Sequence, residues 1–225
     1  MLDGRLPSHL NIESMISILL VDDHAIVRNG LKQILEKNGD MKIAAECANG
    51  SEALIWLREH MCDVILLDIA MAGMSGIELL KHLNLKKSKK PPVLVISSYP
   101  EDQYAVRLIK AGASGYLSKE CAPEEVVSAV RSIVSGNMHI SPAVAKMLTN
   151  EIIKPNGMLP HEALSNREYQ IYMLIISAKT VKEIADSTHL SSRTVSTYRT
   201  RILEKLSLRN NSELMRYAVE NNLMV

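Results

Sequence analysis

Between residues 16 and 134 short apolar runs alternate with longer segments whose apolar residues recur at helical spacing. Ile16 to Val21, Met41 to Cys47, the core of Asp63-Val-Ile-Leu-Leu-Asp68, Val93 to Ser97 and Gly115 to Ser118 predict five strands. The third run is apolar throughout and bounded by charge and glycine, which suits a strand buried on both faces. Between them Ala25 to Glu36 places Ile26, Val27, Leu31, Ile34 and Leu35 on one stripe, with Asn38-Gly39 as its stop. Ala53 to Leu57, Ile77 to Leu85 and Asp102 to Ala111 continue the helical series. Pro123 opens the fifth helix, Glu124 to Val134, and Gly136-Asn137 ends the unit. Five strands alternating with five helices predict an α/β fold, a doubly wound parallel sheet with right-handed crossovers.

Beyond residue 136 the pattern changes to helices only. Ser141-Pro142 caps a modest helix to Ile153, and Lys154 to Pro160 reads as a linker. Ser165-Asn-Arg-Glu168 is a capping box before the apolar run Tyr169 to Ile176. Val181 to Ser187 is a short helix, Ser191 caps a longer one from Arg193 to Leu206, and Asn211 or Ser212 opens the last. Short helix, tight turn, longer helix is the outline of a helix-turn-helix. The expected division is a patternless, disordered leader at 1–14, an α/β domain at 15–136, a linker with a short helix at 137–160 and a small all-α domain at 161–225.

Composition narrows the partners and the compartment. A chain of 225 residues with 47% hydrophobic and 23% charged residues can bury the cores of two domains. The net charge of +1 is unevenly spread, −1 over residues 15–135 and +2 over 160–225, a mild basic bias in the second half. Cys47, Cys62 and Cys121 lie far apart without CxxC spacing, which argues against a disulfide framework or a zinc site and fits a reducing cytoplasm. No apolar run approaches a membrane span, and no signal-peptide core stands at the N-terminus.

The chemistry gathers where strands end. Asp22-Asp23 closes the first strand and Asp68 the third, the end at which open α/β sheets place ligands. If those strands are neighbours, three carboxylates meet, a set that needs a cation and suits Mg²⁺ with its water and phosphate ligands. Ser97 ends the fourth strand and Lys119 follows the fifth. A carboxylate nucleophile, a divalent ion, a hydroxyl and a lysine form a phosphoryl-accepting set. Singly, each residue has a plainer reading as a helix cap, a turn residue or a surface cation.

Leu-Leu-Val-Asp-Asp-His24, Asp63 to Asp68, Met71-Ala-Gly-Met-Ser-Gly76, Val95-Ile-Ser-Ser98 and Gly115-Tyr-Leu-Ser-Lys119 resemble, in order and spacing from Met15 to about Gly136, the receiver domain of bacterial two-component response regulators. The resemblance implies a flavodoxin-like sheet of order 2-1-3-4-5. It implies Asp68 as phosphoacceptor and Mg²⁺ ligand, Asp23 as a direct ligand, and Asp22 holding the ion through water or a hydrogen bond. The third protein ligand would be the backbone carbonyl of Ala70. It makes Ser97 the switch hydroxyl, Tyr116 the switch aromatic that turns inward on phosphorylation, and Lys119 the pattern's lysine. His24 is a positional feature of the pattern. One departure is Ala72, where the family usually has proline, which loosens the loop and removes no chemistry.

Leu164 to Ile171, Lys182-Glu-Ile-Ala185, Leu190 to Leu206 and Ala218 to Leu223 resemble the LuxR-type helix-turn-helix, so that the whole is similar to a NarL/FixJ-type regulator. On the longer helix Val195, Tyr198, Ile202, Leu203 and Leu206 form an apolar stripe opposite Arg193, Ser196, Thr197, Thr200 and Arg201. Ser196, Thr197 and Thr200 are the expected base contacts; Lys182, Arg193, Arg199 and Arg201 are the expected phosphate contacts. At Ala178 the family usually has glycine; if that position needs a positive φ, alanine is strained there.

The function implied is a phosphorylation-activated transcriptional regulator rather than a turnover enzyme, served by a sensor histidine kinase and promoter DNA. It would be a homodimer when phosphorylated, with RNA polymerase as a further candidate partner, and no membrane. One rival reading is a phosphorylation-independent DNA binder whose first domain only dimerises. Another is a small-molecule enzyme on a flavodoxin-like sheet, which lacks a P-loop, a GxGxxG and a strand-end base.

Overall fold

The computed structural model describes residues 15–85, 90–153, 159–221 and 223. The leader at 1–14, most of the basic loop after residue 85 and residues 154–158 of the expected linker lie outside the described residues. Five parallel strands form one sheet: β1 (Ile16–Val21), β2 (Met41–Cys47), β3 (Val64–Leu67), β4 (Val93–Ser97) and β5 (Gly115–Ser118), in the order β2-β1-β3-β4-β5. Between them run α1 (Ala25–Glu36), α2 (Gly50–Glu59), α3 (Gly76–Leu85), α4 (Glu101–Lys110) and α5 (Pro123–Val134). Helices α2, α3 and α4 begin up to three residues before the predicted positions. For α2 the reason is Asn49, whose side chain accepts the Glu52 N–H and so starts the helix at Gly50.

Period-two alternation divides the sheet's side chains between two apolar layers. Leu19, Val21, Ile65, Leu67, Val93 and Val95 point to the side of α2, α3 and α4. Ile18, Leu20, Val64, Leu66, Leu94 and Ile96 point to the side of α1 and α5, where Leu35, Val126, Val130 and Ile133 cover them. All four residues of β3 are buried, as a strand covered on both faces requires.

The chain continues through α6 (Pro142–Ile153), a 3₁₀ turn (Pro160–Ala163), α7 (Asn166–Ile176), α8 (Val181–Thr188), α9 (Ser192–Leu206) and α10 (Asn211–Glu220). The capping box holds: Ser165 accepts the Glu168 N–H, and the Glu168 carboxylate accepts the Ser165 N–H. Glu168 also meets Lys205 Nζ at 2.7 Å, tying the start of α7 to α9. Burial acts to raise the Glu168 pKa, but Lys205 and Ser165 outweigh it and hold the carboxyl below its ordinary value.

From Tyr169 to Ile176 every residue of α7 is buried, Gln170 included. A helix covered all round needs neighbours on all sides. One side rests on α9 and α10; the other rests on the α/β half. Tyr104 of α4 meets the Tyr169 ring edge-on at 5.8 Å, and the Arg107 guanidinium lies 4.6 Å above the same ring. Tyr169 Oη donates to the Gln103 carbonyl, and Arg107 donates to the carbonyl of Leu164. The two halves therefore share one apolar cluster.

Ala178, in the turn after α7, has φ 59°, the left-handed conformation that glycine adopts without strain. Replacing Ala178 with Gly relieves that strain against a smaller loss of unfolded-state order, and should raise stability by about 0.5–1 kcal/mol. The measurement is the urea midpoint at unchanged slope; an unchanged or lower midpoint contradicts it.

Candidate phosphoryl-acceptor site and nucleic-acid interface

Strand order places the chemistry. The connection from β1 to β2 runs one way along the sheet and the crossover from β2 to β3 runs the other, so the crevice at the carboxyl ends of β1 and β3 is the switch point of the sheet. Val21 pairs with Leu67, and the Asp68 N–H donates to the Val21 carbonyl at 2.8 Å. Asp22 and Asp68 thereby stand side by side, 4% and 3% exposed. Across β4, Ser97 pairs with Ser118, and the Lys119 N–H donates to the Ser97 carbonyl. Asp22, Asp23, Asp68, Ser97 and Lys119 all end their strands at one rim.

Lys119 is the cation that makes this rim tolerable. Its Nζ lies 2.7 Å from Asp22 Oδ2 and 2.8 Å from Asp68 Oδ2. Burial raises the Asp68 pKa, with Asp22 adding to the rise; Lys119 and the Ala70 N–H, 3.2 Å from Oδ1, oppose it. Burial tends to lower the Lys119 pKa, but Asp68 and Asp22 outweigh it and the ammonium is held above its usual range.

One carboxylate oxygen from each of Asp22, Asp23 and Asp68 and one ring nitrogen of His24 lie within 4.8 Å of one another. Asp23 Oδ2 accepts the Ala72 N–H at 3.1 Å, whereas Oδ1 is buried without a hydrogen-bond partner, although His24 Nδ1 stands 2.8 Å away. A buried carboxylate oxygen lacking a donor, in an all-oxygen set of three acids, fits a hard divalent cation. The sequence pattern alone gave His24 no such proximity.

Gly76 explains why the loop after β3 must end in glycine. A Cβ built there falls 1.9 Å from the Asp68 carbonyl oxygen, so the first turn of α3 packs directly on the acid's backbone. Gly73 in the same loop has φ 71°. Ala72 donates its N–H to Asp23, which proline could not do. The departure at this position is thus compensated by an added tie between the loop and the acidic rim.

Ser97 and Tyr116 are fully buried; the Ser97 Oγ accepts the Tyr99 N–H, and Tyr116 Oη donates to the Tyr99 carbonyl at 2.6 Å. Tyr116 is 1% exposed, so its ring stands inward in this structure. Burial keeps its phenol protonated at any physiological pH. From Tyr99 a polar path crosses to the second half. Gln170 Nε2 donates to Tyr99 Oη at 2.8 Å, Arg167 donates to Gln170 Oε1, and Arg167 donates again to the Thr188 carbonyl at 2.6 Å. Next to Thr188 stands His189, whose Nε2 lies 3.2 Å from Asp23 Oδ2. Tyr99, Arg107, Tyr169, Gln170 and His189 were not singled out from the sequence. The one available signal was the run Tyr169 to Ile176, too continuously apolar for a helix with a solvent side.

The expected nucleic-acid face lies on α9. Ser191 accepts the Thr194 N–H as its cap, while Val195, Ile202 and Leu206 are buried and Tyr198 and Leu203 half-buried, the stripe expected. Lys182, Arg193, Ser196, Thr197, Thr200 and Arg201 are all exposed. Docking of the two halves leaves this face bare. The hydroxyls of Ser196, Thr197 and Thr200 donate to the carbonyls of Ser192, Arg193 and Ser196 one turn back, which holds them in defined rotamers. Arg199 departs from the expected set: it is half-buried and its Nε donates to Asn211 Oδ1 at 2.7 Å, bracing the start of α10.

Cys47, Cys62 and Cys121 are unpaired thiols, and burial pushes Cys47 up to about 11 and Cys62 up to about 12, which makes neither a nucleophile at neutral pH. No helix among the described residues is long and apolar enough to cross a membrane.

Residues 18–131 match the family described as response regulator receiver domain, and residues 162–218 match bacterial regulatory proteins of the luxR family. The chain is 36% identical to the response regulator UvrY of Escherichia coli (strain K12) over 93% of its length and 96% of that protein's. It is 37% identical to the response regulator GacA of Pseudomonas protegens over 93% of its length and 98% of that protein's. The crystal structure of the response regulator ChrA, from a heme-sensing two-component system, is 30% identical, with 94% of this chain and 100% of that one covered at a TM-score of 0.50.

Replacing Gly76 with Ala forces α3 off the Asp68 backbone. It should destabilise the α/β half by about 1–3 kcal/mol, the usual range for overpacking, read as a lower urea midpoint. A midpoint equal to that of the unmodified chain would show that α3 can shift freely.

Proposed function

The chain belongs to the response regulators that join a receiver domain to a LuxR-type DNA-binding domain, and on that premise we propose that Asp68 accepts a phosphoryl group from a sensor histidine kinase and so controls promoter binding. The carrying observation is the convergence of Asp22, Asp23, Asp68, Ser97 and Lys119 at one rim. The domains would be a receiver at 15–136, a linker at 137–160 and a DNA-binding domain at 161–225.

A carboxylate oxygen of Asp68 attacks the phosphorus of a phosphohistidine. The new O–P bond forms as the P–N bond breaks and the imidazole nitrogen keeps the electron pair. Mg²⁺, held by Asp23, Asp68 and the Ala70 carbonyl with Asp22 in support, supplies charge neutralisation to the phosphoryl oxygens when bound. Lys119, which bridges Asp22 and Asp68, has the reach to turn its ammonium to the new anion. Ser97, at the end of the adjacent strand, offers its hydroxyl.

The hydroxyl that would answer the phosphoryl anion connects to the second domain. Ser97 accepts the Tyr99 N–H, Tyr116 donates to the Tyr99 carbonyl, and Tyr99 holds Gln170. A shift of Ser97 would displace the Tyr99 loop and with it the grip on α7. Since Tyr116 is already buried, the loop rather than the ring is the moving part. Release would allow the domains to pair as a homodimer over two half-sites, in a cytoplasmic protein acting on promoter DNA. The rival reading, in which the receiver only dimerises, leaves Lys119 and its buried acids Asp22 and Asp68 without a use.

Asp68→Asn should abolish hydroxylamine-labile labelling by a small-molecule phosphodonor, and labelling of the variant at equal stoichiometry would rule out the assignment. On DNA, Thr200→Ala should narrow the gap between cognate and random sequence. Arg201→Ala should weaken both about equally and flatten the salt slope by about one. Filter or anisotropy binding across salt concentrations separates the two effects, and identical behaviour of both variants contradicts the division of roles.

A further inference from the structure

Among the described residues, His189 meets the acidic rim from outside its own domain. This residue sits in the turn between α8 and α9 with φ 53°, and its N–H closes α8 on the carbonyls of Ala185 and Asp186. The left-handed conformation turns the chain sharply and projects the ring off the end of the helix. Nε2 comes to 3.2 Å from Asp23 Oδ2. The turn that carries the ring is tied to the rim through hydrogen bonds that end at Thr188, the residue before it. Tyr99 follows β4 at the rim, Gln170 takes its hydroxyl, Arg167 takes Gln170 and the Thr188 carbonyl, and His189 returns to the rim at Asp23.

A hydrogen-bond donor and a divalent cation want the same carboxylate. Mg²⁺ binds oxygen at about 2.1 Å, insists on octahedral geometry and keeps several waters. Asp23 already bears the Ala72 N–H and His189 on Oδ2, with His24 Nδ1 beside Oδ1. A hydrated cation arriving at this acid meets two imidazole rings, and only one of them, His189, can leave with its domain. We infer that His189 is a plug on the cation site, so that divalent cation binding and docking of the DNA-binding domain oppose one another before any phosphoryl group is transferred. Linkage makes the opposition reciprocal: the factor by which docking weakens cation binding is the factor by which the bound cation weakens docking. The inference rests on the reading of Asp23 as a cation ligand.

The test uses the full chain, with Mg²⁺ as the probe at constant ionic strength so that screening is held fixed. Calorimetric titration compares the natural chain with His189→Gly, which suits the left-handed backbone, with His189→Asn, which tolerates it, and with Asp23→Asn. Small-angle scattering of the natural chain with and without Mg²⁺ reads docking directly. The expected result is Mg²⁺ binding about five-fold or more tighter in His189→Gly and His189→Asn, with a larger radius of gyration in the natural chain as Mg²⁺ saturates it. Equal affinities in the natural chain and both His189 variants, with scattering unmoved by saturating Mg²⁺, overturn the plug. If Asp23→Asn binds Mg²⁺ as tightly as the natural chain, the ligand assignment itself fails, and the plug with it.

Discussion

Everything at the rim depends on the bridge that Lys119 makes between Asp22 and Asp68. Two carboxylates on neighbouring parallel strands, each almost without solvent, repel one another strongly. A single ammonium within 2.8 Å of both offsets that repulsion. Breaking such a buried arrangement on one side strands the other charges, which is far more damaging than losing a surface pair. The geometry is inherited from the sheet: β1 lies against β3, and β5 reaches the same rim across β4. The fold's contribution to chemistry is therefore mostly a matter of strand order.

The second domain turns that local balance into a longer-range one. The Tyr99 loop shares hydrogen bonds with Ser97 and Tyr116 on one side and with Gln170 on the other. Packing and polar contact act together here. Tyr104, Arg107 and Tyr169 supply stacked area, while Gln170 and Arg167 fix its register. Coupling through such contacts needs an element with two discrete arrangements, and the β4–α4 connection is the segment placed to be one.

Most of the architecture was legible in the residues. Strand runs, helical stripes and caps located every strand and α-helix within three residues, because each carries its own local signal: Asn49, Ser165 and Ser191 as caps, Pro123 as a first-turn residue; the 3₁₀ turn Pro160–Ala163 was not foreseen. The acids, Ser97 and Lys119 could be grouped because they end strands. What periodicity could not convey was which outward face meets which. Arg199 reads as a phosphate contact by composition, and its Nε also braces Asn211, a contact that only tertiary packing makes. His189 reads as a turn residue in sequence, and the reach to Asp23 exists only when the domains are set side by side. Gly76 was visible as part of a motif, but its reason, the backbone of Asp68 pressed against α3, is a distance and not a pattern.

Helix α7 belongs to two interfaces at once, and this limits how freely the halves can be recombined. Tyr169 answers to Tyr104, Arg107 and Gln103 as much as to its own domain. A C-terminal half transplanted from a relative would arrive with a contact surface shaped for a different α4. The two halves are thus not interchangeable cassettes. Any chimaera that preserves control must carry residues 99–107 across together with α7, even though more than fifty positions of chain separate them.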